Sequence, residues 1–199
     1  MLPHRMLKKF LLCLLLHCSL PLLVEAKTIA TDITVHVEVQ GDTVRVDVEL
    51  MIPAAKKDVW DVLTDFEHLP KFLSNITESK VLAREGNIIR ISQSGLTQYG
   101  PLSFRFQSER KIILNPFDSF ESSMVRGNMK SLHGSTRLEE IDGRTRIRYH
   151  AEAVPDTVFP LSLGRSLIDA ETREHFQEIR EEVVRRKSLV QAEPGLQSN

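Results

Sequence analysis

Cysteine is scarce in this chain, and its placement removes several classes of function. The 199 residues contain 2 cysteines, Cys13 and Cys18, and both lie among the first 26 residues. The rest of the chain therefore has no disulfide framework, no thiol nucleophile and no cysteine-ligated metal site. A domain built from residues 27–199 has to be stabilised by its core alone.

The chain also lacks an excess of charge of either sign and the common catalytic motifs. It has 26 Lys and Arg against 27 Asp and Glu, so no basic footprint for a nucleic-acid partner is present. Its histidines are scattered without the spacing of a metal site. Glycine-rich phosphate-binding loops and the G-x-S-x-G motif of serine hydrolases are missing. We predict no nucleic-acid partner, no metal and no cofactor.

Residues 1–26 have the three-part pattern of a secretory signal peptide. Three basic residues precede an apolar run over residues 10–16, and Val24-Glu25-Ala26 provides a cleavage site. The run is shorter than the ~20 residues that a membrane-spanning helix needs. We therefore predict cleavage after Ala26 and export to the periplasm or the medium. A retained membrane anchor and a lipoprotein modified at Cys18 are the alternatives.

The remaining chain shows one domain over residues 27–187 and a disordered tail over 188–199. Apolar and polar residues alternate over 33–39 and 44–52 around the turn Gln40-Gly41-Asp42, which predicts a β-hairpin. Further strands are predicted over 80–84, 88–93, 102–114, 120–125, 135–141 and 145–153.

Three helical segments are predicted. Two are short, Asp58–Leu63 and Lys71–Leu73, and lie between the second and third strands. The third is long, Leu163–Lys187, and its apolar stripe consists of Ile168, Thr172, Phe176, Ile179 and Val183. Acid-then-base pairs four residues apart, predicted to support its exposed surface, are Asp169/Arg173, Glu181/Arg185 and Glu182/Arg186.

Segregated strands and helices predict an α+β fold. In this arrangement a curved antiparallel β-sheet wraps around the long C-terminal α-helix, with two short helices after the first strands. Where one helix and a curved sheet do not fill the space between them, a pocket results.

This order and several local stretches resemble the START-like family (polyketide cyclase/dehydrase, coenzyme-Q-binding), whose helix-grip fold is shared by the birch-pollen allergen. The resemblance covers about residues 44–187. Its most specific part is the stretch Val59–Leu73, VWDVLTDFEHLPKFL. The other matching residues are Pro53, Gly100–Phe106, Gly127, Gly134-Ser135 and Thr145–Tyr149.

The resemblance implies a sheet that grips a long helix around an apolar cavity. Members of this family bind or carry lipids, quinones, polyketides or other hydrophobic molecules, and some catalyse cyclisation or dehydration. One departure is Thr136, where many members have Trp, and it predicts a smaller or more polar pocket wall there. The strand 33–39 is an addition to the minimal fold.

The parity of the strands predicts which side chains line the cavity. We expect apolar area for affinity and a few polar groups for orientation, although packing of the same residues in a filled core is the alternative. The predicted ligand-binding residues are Phe104, Phe106, Arg110, Ile112, Phe120, Met124, Ile147, Tyr149, Ile168 and Phe176.

Two side chains of this region carry the chemistry that the sequence offers. Arg110 lies on an otherwise apolar strand face, so it either orients a ligand head group or pairs with a carboxylate at the sheet edge. His175 is the best candidate for a general base, because it adjoins Phe176 in the helix stripe. No pair of carboxylates is placed for acid–base work, so no catalytic residue is assigned.

Two functions follow from these observations. The first is an exported binding module that carries or scavenges a lipid, quinone or polyketide-like molecule, with transient membrane contact. The second is a cyclase or dehydratase acting on an aromatic or polyketide-like substrate. A structural protein whose cavity is filled by its own side chains is a third possibility. The missing nucleophile, metal cluster and carboxylate pair favour the binding module.

Overall fold

The computed structural model describes residues 33–99, 102–156 and 161–192. Of residues 97–99, 102, 104, 161–163 and 192 only the backbone is described. The predicted signal peptide and residues 193–199 lie outside these ranges. The strands are β1 (Ile33–Gln40), β2 (Thr43–Ile52), β3 (Ile76–Glu85), β4 (Ile88–Tyr99), β5 (Leu102–Asn115), β6 (Ser119–Gly127), β7 (Met129–Ile141) and β8 (Arg144–Pro155). The helices are α1 (Lys56–Leu63) and α2 (Leu161–Ala192), and a 3₁₀ turn covers Leu69–Lys71.

The eight strands form one antiparallel sheet in the order β1-β2-β8-β7-β6-β5-β4-β3. The predicted α+β fold, a curved antiparallel sheet with one long C-terminal helix, is confirmed. The predicted hairpin of the first two strands pairs Ile33 with Leu50 and Gln40 with Thr43. Its second strand supplies a continuous set of core residues: Val44, Val46, Val48, Leu50 and Ile52.

Two strands run through glycines that lie outside the predicted strand bounds 88–93 and 135–141. β4 continues through Gly95, and β7 continues through Gly134. A Cβ at Gly95 would overlap the carbonyl oxygen of Asn75 and the ring of Phe106. Glycine here therefore permits a close approach rather than a turn, which is a known use of glycine inside strands.

The short helices pack their apolar side chains inward. Val59, Trp60, Val62 and Leu63 of α1 are all buried. The second predicted helix, Lys71–Leu73, is instead a 3₁₀ turn two residues earlier, because Pro70 is tolerated in the first turn of a helix. The start of α1 is fixed by Thr145, whose buried hydroxyl donates to the carbonyl of Ala54 at 2.8 Å.

Helix α2 extends to Ala192, five residues beyond its predicted end. Phe176, Ile179 and Val183 of the predicted stripe are buried. Arg173 donates to the carbonyl of Ile33 at 2.7 Å, which ties the helix to the edge strand β1. No described helix is long and apolar enough to cross a membrane.

One of the three predicted helix pairs is wrong. Arg173 pairs with Asp169, and Arg186 pairs with Glu182, both at 2.6 Å. Arg185, however, pairs with Glu182 at 2.7 Å rather than with Glu181. Glu182 is buried, so two arginines converge on it, while Glu181 accepts a hydrogen bond from Gln177.

Candidate functional site

A cavity of about 410 Å³ lies between the inner face of the sheet, the α1 region and α2. It falls within the size range of small-molecule pockets, roughly 300–1,000 Å³. Apolar side chains from α1 and the 3₁₀ turn form one wall, and β4 to β8 and α2 form the others. The lining consists of Val62, Leu63, Phe66, Leu69, Leu73, Asn75, Ile76, Gln93, Phe106, Gln107, Ser108, Arg110, Ile112, Phe120, Ser122, Asn128, Met129, Leu132, Thr136, Tyr149, Glu171, Thr172, His175, Phe176 and Ile179.

Most of the predicted ligand-binding residues lie in this lining. The rings of Tyr149 on β8 and Phe176 on α2 are in contact, with centroids 5.3 Å apart, where the helix crosses the sheet. Thr136 also lines the cavity, at the position where the family resemblance predicts a smaller wall. The predicted residues found in the lining are Phe106, Arg110, Ile112, Phe120, Tyr149 and Phe176.

The other predicted residues lie outside the lining. Ile147 is 0% exposed and is paired in register with Leu50 and Leu138, so apolar neighbours fill the sheet's inner face there. Met124 is half-buried, with its sulfur near Gly127. Ile168 is half-buried and packs against the core. Phe104 lies on β5, but its side chain is outside the described part of the chain.

Sequence reasoning missed Gln93 and Asn75, two polar residues of the lining. The signal for Gln93 was present, because it follows Ile89 and Ile91 in strand alternation and so shares their buried face. Asn75 immediately precedes β3, so no alternating pattern predicts which way its side chain faces. Its position depends on Gly95, since only a glycine there leaves room for the Asn75 carbonyl and the Phe106 ring.

Arg110 belongs to the cavity and not to the sheet edge. Its guanidinium Nη2 donates to Oε1 of Gln93 on β4. Gln93 is 3% exposed, and its amide nitrogen donates to the hydroxyl of Ser79 on β3 at 3.1 Å. Among the described residues, no carboxylate at the sheet edge pairs with Arg110, so that alternative prediction is wrong. The cation instead bonds to a buried neutral amide, which is itself held by the hydroxyl of Ser79.

Burial sets the ionisation of the groups near Arg110. It lowers the pKa of His175 to about 4, and the positive charge of Arg110 adds to that effect. It raises the pKa of the Tyr149 phenol, which Arg110 partly offsets. Both side chains are therefore neutral at neutral pH and can exchange hydrogen bonds without adding charge.

Three lining residues have a buried polar atom without a hydrogen-bond partner among the described residues. They are Nε of Arg110, Oγ of Ser122 and Oδ1 of Asn75. Buried polar groups in folded proteins are nearly always paired, so unpaired ones around a cavity mark hydrogen-bonding capacity left for an occupant. Within the described residues, no group of three or more His, Cys, Asp or Glu is placed to hold a metal ion.

Comparison with solved structures finds the same fold in proteins of very different sequence. A START superfamily protein from Mycobacterium smegmatis superposes with a TM-score of 0.61 at 11% identity, covering 71% of this chain and 97% of that one. A STAR-related lipid transfer protein from Xanthomonas axonopodis gives 0.62 at 14% identity, covering 76% and 93%. The Zhui aromatase/cyclase from Streptomyces sp. R1128 gives 0.59 at 14% identity, covering 72% and 95%.

At such identities these likenesses show the fold alone. No curated protein matched the chain. A family model described as polyketide cyclase / dehydrase and lipid transport matches residues 52–185, from the end of β2 to the last turns of α2. This match spans more than half of the chain and includes every element that encloses the cavity. The chain belongs to the polyketide cyclase / dehydrase and lipid transport family.

Proposed function

We propose that this chain is a binding module that carries or scavenges a hydrophobic small molecule, such as a lipid, a quinone or a polyketide-like compound. The cavity is the observation on which this proposal rests. It combines an apolar lining with a few converging polar groups, which is the pattern that orients a hydrophobic ligand. The family match and the lipid transfer protein among the structural neighbours support the same function.

The alternative is a cyclase or dehydratase, which the aromatase/cyclase neighbour supports. Such a reaction requires a base, and a base is most effective when its pKa is near the working pH. Burial and Arg110 hold the pKa of His175 at about 4, which makes it a weak base at neutral pH. The electrostatics of the cavity therefore favour binding. Turnover that His175→Ala abolishes in a folded protein would support the enzyme instead.

The test is to identify what the purified protein holds. Native mass spectrometry and solvent extraction should reveal a bound hydrophobic molecule. In Thr136→Trp the indole would project into the cavity and displace that molecule, because Thr136 is part of the lining. Arg137→Trp is the matched control, since it adds the same ring to the exposed face of the same strand. This variant should retain the ligand.

Two results together would contradict the binding function. The purified protein would be empty, and it would not take up the neutral apolar probe N-phenyl-1-naphthylamine. Equal ligand content in Thr136→Trp and Arg137→Trp, with both folded, would place the ligand outside this cavity.

We also propose that the domain works outside the cytoplasm, on the basis of the leader over residues 1–26. A carrier of lipids would contact a membrane transiently when it loads its cargo. N-terminal sequencing of the protein recovered from the periplasm or the medium should begin at Lys27. Recovery of the whole product in the cytoplasm with Met1 retained would contradict export.

A further inference from the structure

Arg110 is a cation in the cavity whose described polar contact is with a neutral group. Of the five N–H donors of its guanidinium, one bonds to Gln93. Its Nε is buried and has no hydrogen-bond partner among the described residues. Because Gln93 also donates to Ser79, its amide is held with the carbonyl oxygen toward Arg110. The guanidinium is therefore positioned but incompletely paired.

Arg110 has no counter-ion in the described part of the chain. Among the described residues of the lining, the acidic side chain is Glu171 on α2, whereas the electrostatic interaction of Arg110 is with Tyr149. Tyr149 and His175, which interact electrostatically with Arg110, are neutral at neutral pH. A charge removed from water without a partner costs several kcal/mol, so an arginine in this position is unfavourable unless something else balances it.

The backbone changes register at the same place. Glu109 pairs with Arg126 on β6, whereas Arg110 pairs with Met124, so Val125 is an extra residue in β6. Val125 is 54% exposed, and it has no partner on β5. Bulges of this kind twist a strand and redirect side chains, and they are frequent beside binding sites. The bulge thus lies directly beside the residue that faces the cavity.

We propose that the ligand is an amphiphile with a carboxylate head group, bound by Arg110, and that its apolar chain lies among Phe106, Phe120 and Phe176. This inference rests on the proposed binding function and adds the chemical class of the ligand. A carboxylate matches the fork of a guanidinium and supplies the missing negative charge. The neutral phenol of Tyr149 can donate a further hydrogen bond to the head group.

The experiment compares three ligands that share a dodecyl tail and differ in the charge of the head group. Delipidated wild-type protein is titrated calorimetrically with dodecanoate, dodecanol and dodecyltrimethylammonium, each below its micellar concentration. We expect dodecanoate to bind at least tenfold more tightly than dodecanol. The cation should bind most weakly of the three. Equal affinity for dodecanoate and dodecanol would overturn the proposal.

Variants then test whether Arg110 is the source of the preference. Arg110→Met, which keeps the apolar length of the side chain, should bring dodecanoate and dodecanol to the same affinity. Arg148→Met is the matched control on the outer face, and it should leave the preference unchanged. Arg110→Lys should retain a reduced preference for the anion, because it keeps the charge but loses the fork. A preference for dodecanoate that persists in folded Arg110→Met would overturn the proposal.

The outcomes separate this inference from the proposed function. If dodecanol binds as well as dodecanoate, the cavity still holds a hydrophobic ligand, and only the head-group assignment fails. If none of the three binds and the purified protein is empty, the binding function fails and the inference fails with it. Should Arg110→Met not fold, the wild-type series and Arg110→Lys decide the matter.

Discussion

Glu109 and Arg110 are consecutive residues of β5, and they lie on opposite faces of the sheet. Glu109, on the outer face, is 4% exposed and accepts hydrogen bonds from Arg90 on β4 and from Arg126 on β6, the second at 2.6 Å. Both hydrogen bonds lower the pKa of the Glu109 carboxyl, and the bond from Arg90 has the larger effect. Arg110, on the inner face, has a neutral partner and an unpaired Nε.

The difference separates a charge that is paired within the fold from a charge that, in our proposal, pairs with a ligand. The outer face pairs its buried carboxylate fully, with one arginine from each neighbouring strand. The inner face leaves hydrogen-bonding capacity on Arg110, Ser122 and Asn75, all of which line the cavity. Stability alone does not account for the inner arrangement, because an incompletely paired cation in the interior is unfavourable.

The largest effect is expected where the inner face is tightest. Gly95→Ala places a Cβ against the Asn75 carbonyl oxygen and the Phe106 ring, and a backbone atom cannot move aside. We expect a loss of about 3 kcal/mol in the free energy of unfolding, measured with urea. The control is Gly134→Ala, whose Cβ would lie 3.3 Å from the His150 oxygen and should cost less than about 1 kcal/mol. Equal losses in both would contradict this account of Gly95.

The second effect is a pH dependence that originates on the inner face. The pKa of His175 is about 4 in the folded protein against 6.5 ordinarily, so between these values the unfolded chain binds more protons. The folded state therefore loses stability as pH falls from 6.5 toward 4. The loss should reach about 2 kcal/mol at pH 5 relative to pH 7.5.

The measurement is the difference between wild type and His175→Gln across that range, in which the other titrating groups cancel. The glutamine variant should lack this part of the slope. Identical slopes in both proteins would show that His175 is not buried as a neutral ring.

The third prediction tests the two faces directly. In delipidated protein, Arg110→Met removes an incompletely paired cation and should raise the free energy of unfolding by about 1–2 kcal/mol. Glu109→Gln removes the charge that pairs with Arg90 and Arg126 and should lower the urea midpoint. If both substitutions destabilise the protein alike, the contrast between the faces is wrong.

The smallest effect is expected for an exposed charge on the outer face. Arg148 is half-exposed and bonds to Glu49 at 3.2 Å and Glu139 at 2.8 Å. Exposed pairs contribute little, because water already solvates both ions. Arg148→Gln should change the free energy of unfolding by no more than about 0.5 kcal/mol. A loss as large as that of Gly95→Ala would show that the outer network supports the fold cooperatively.

Much of the fold could be predicted from the sequence because its signals are local and periodic. Alternation over 33–39 and 44–52 identified the first hairpin, and the apolar stripe identified α2. The glycines of β4 and β7 were misleading, because glycine promotes turns as well as close contacts. Which of the two applies to Gly95 depends on Phe106 and Asn75, which approach it from other parts of the chain.

The candidate site was predictable only in part, because it too depends on residues that come from distant parts of the chain. Parity placed Phe106, Arg110 and Tyr149 on the inner face, and all three line the cavity. It placed Ile147 there too, although Leu50 and Leu138 fill that end of the face. Parity gives the side of a sheet but not whether the space above it is filled, which depends on how closely the helix approaches.

The sequence by itself determined the strand and helix pattern, the absence of cysteine beyond residue 26 and the family of the chain. Only the tertiary structure decided that Arg110 faces a cavity, with a neutral glutamine as its partner, while Glu109 one residue earlier is paired twice. The physical reason is that charge pairing is set by residues on neighbouring strands. Those partners lie 17 to 19 residues away in the chain, and their register includes a bulge that no local pattern reveals.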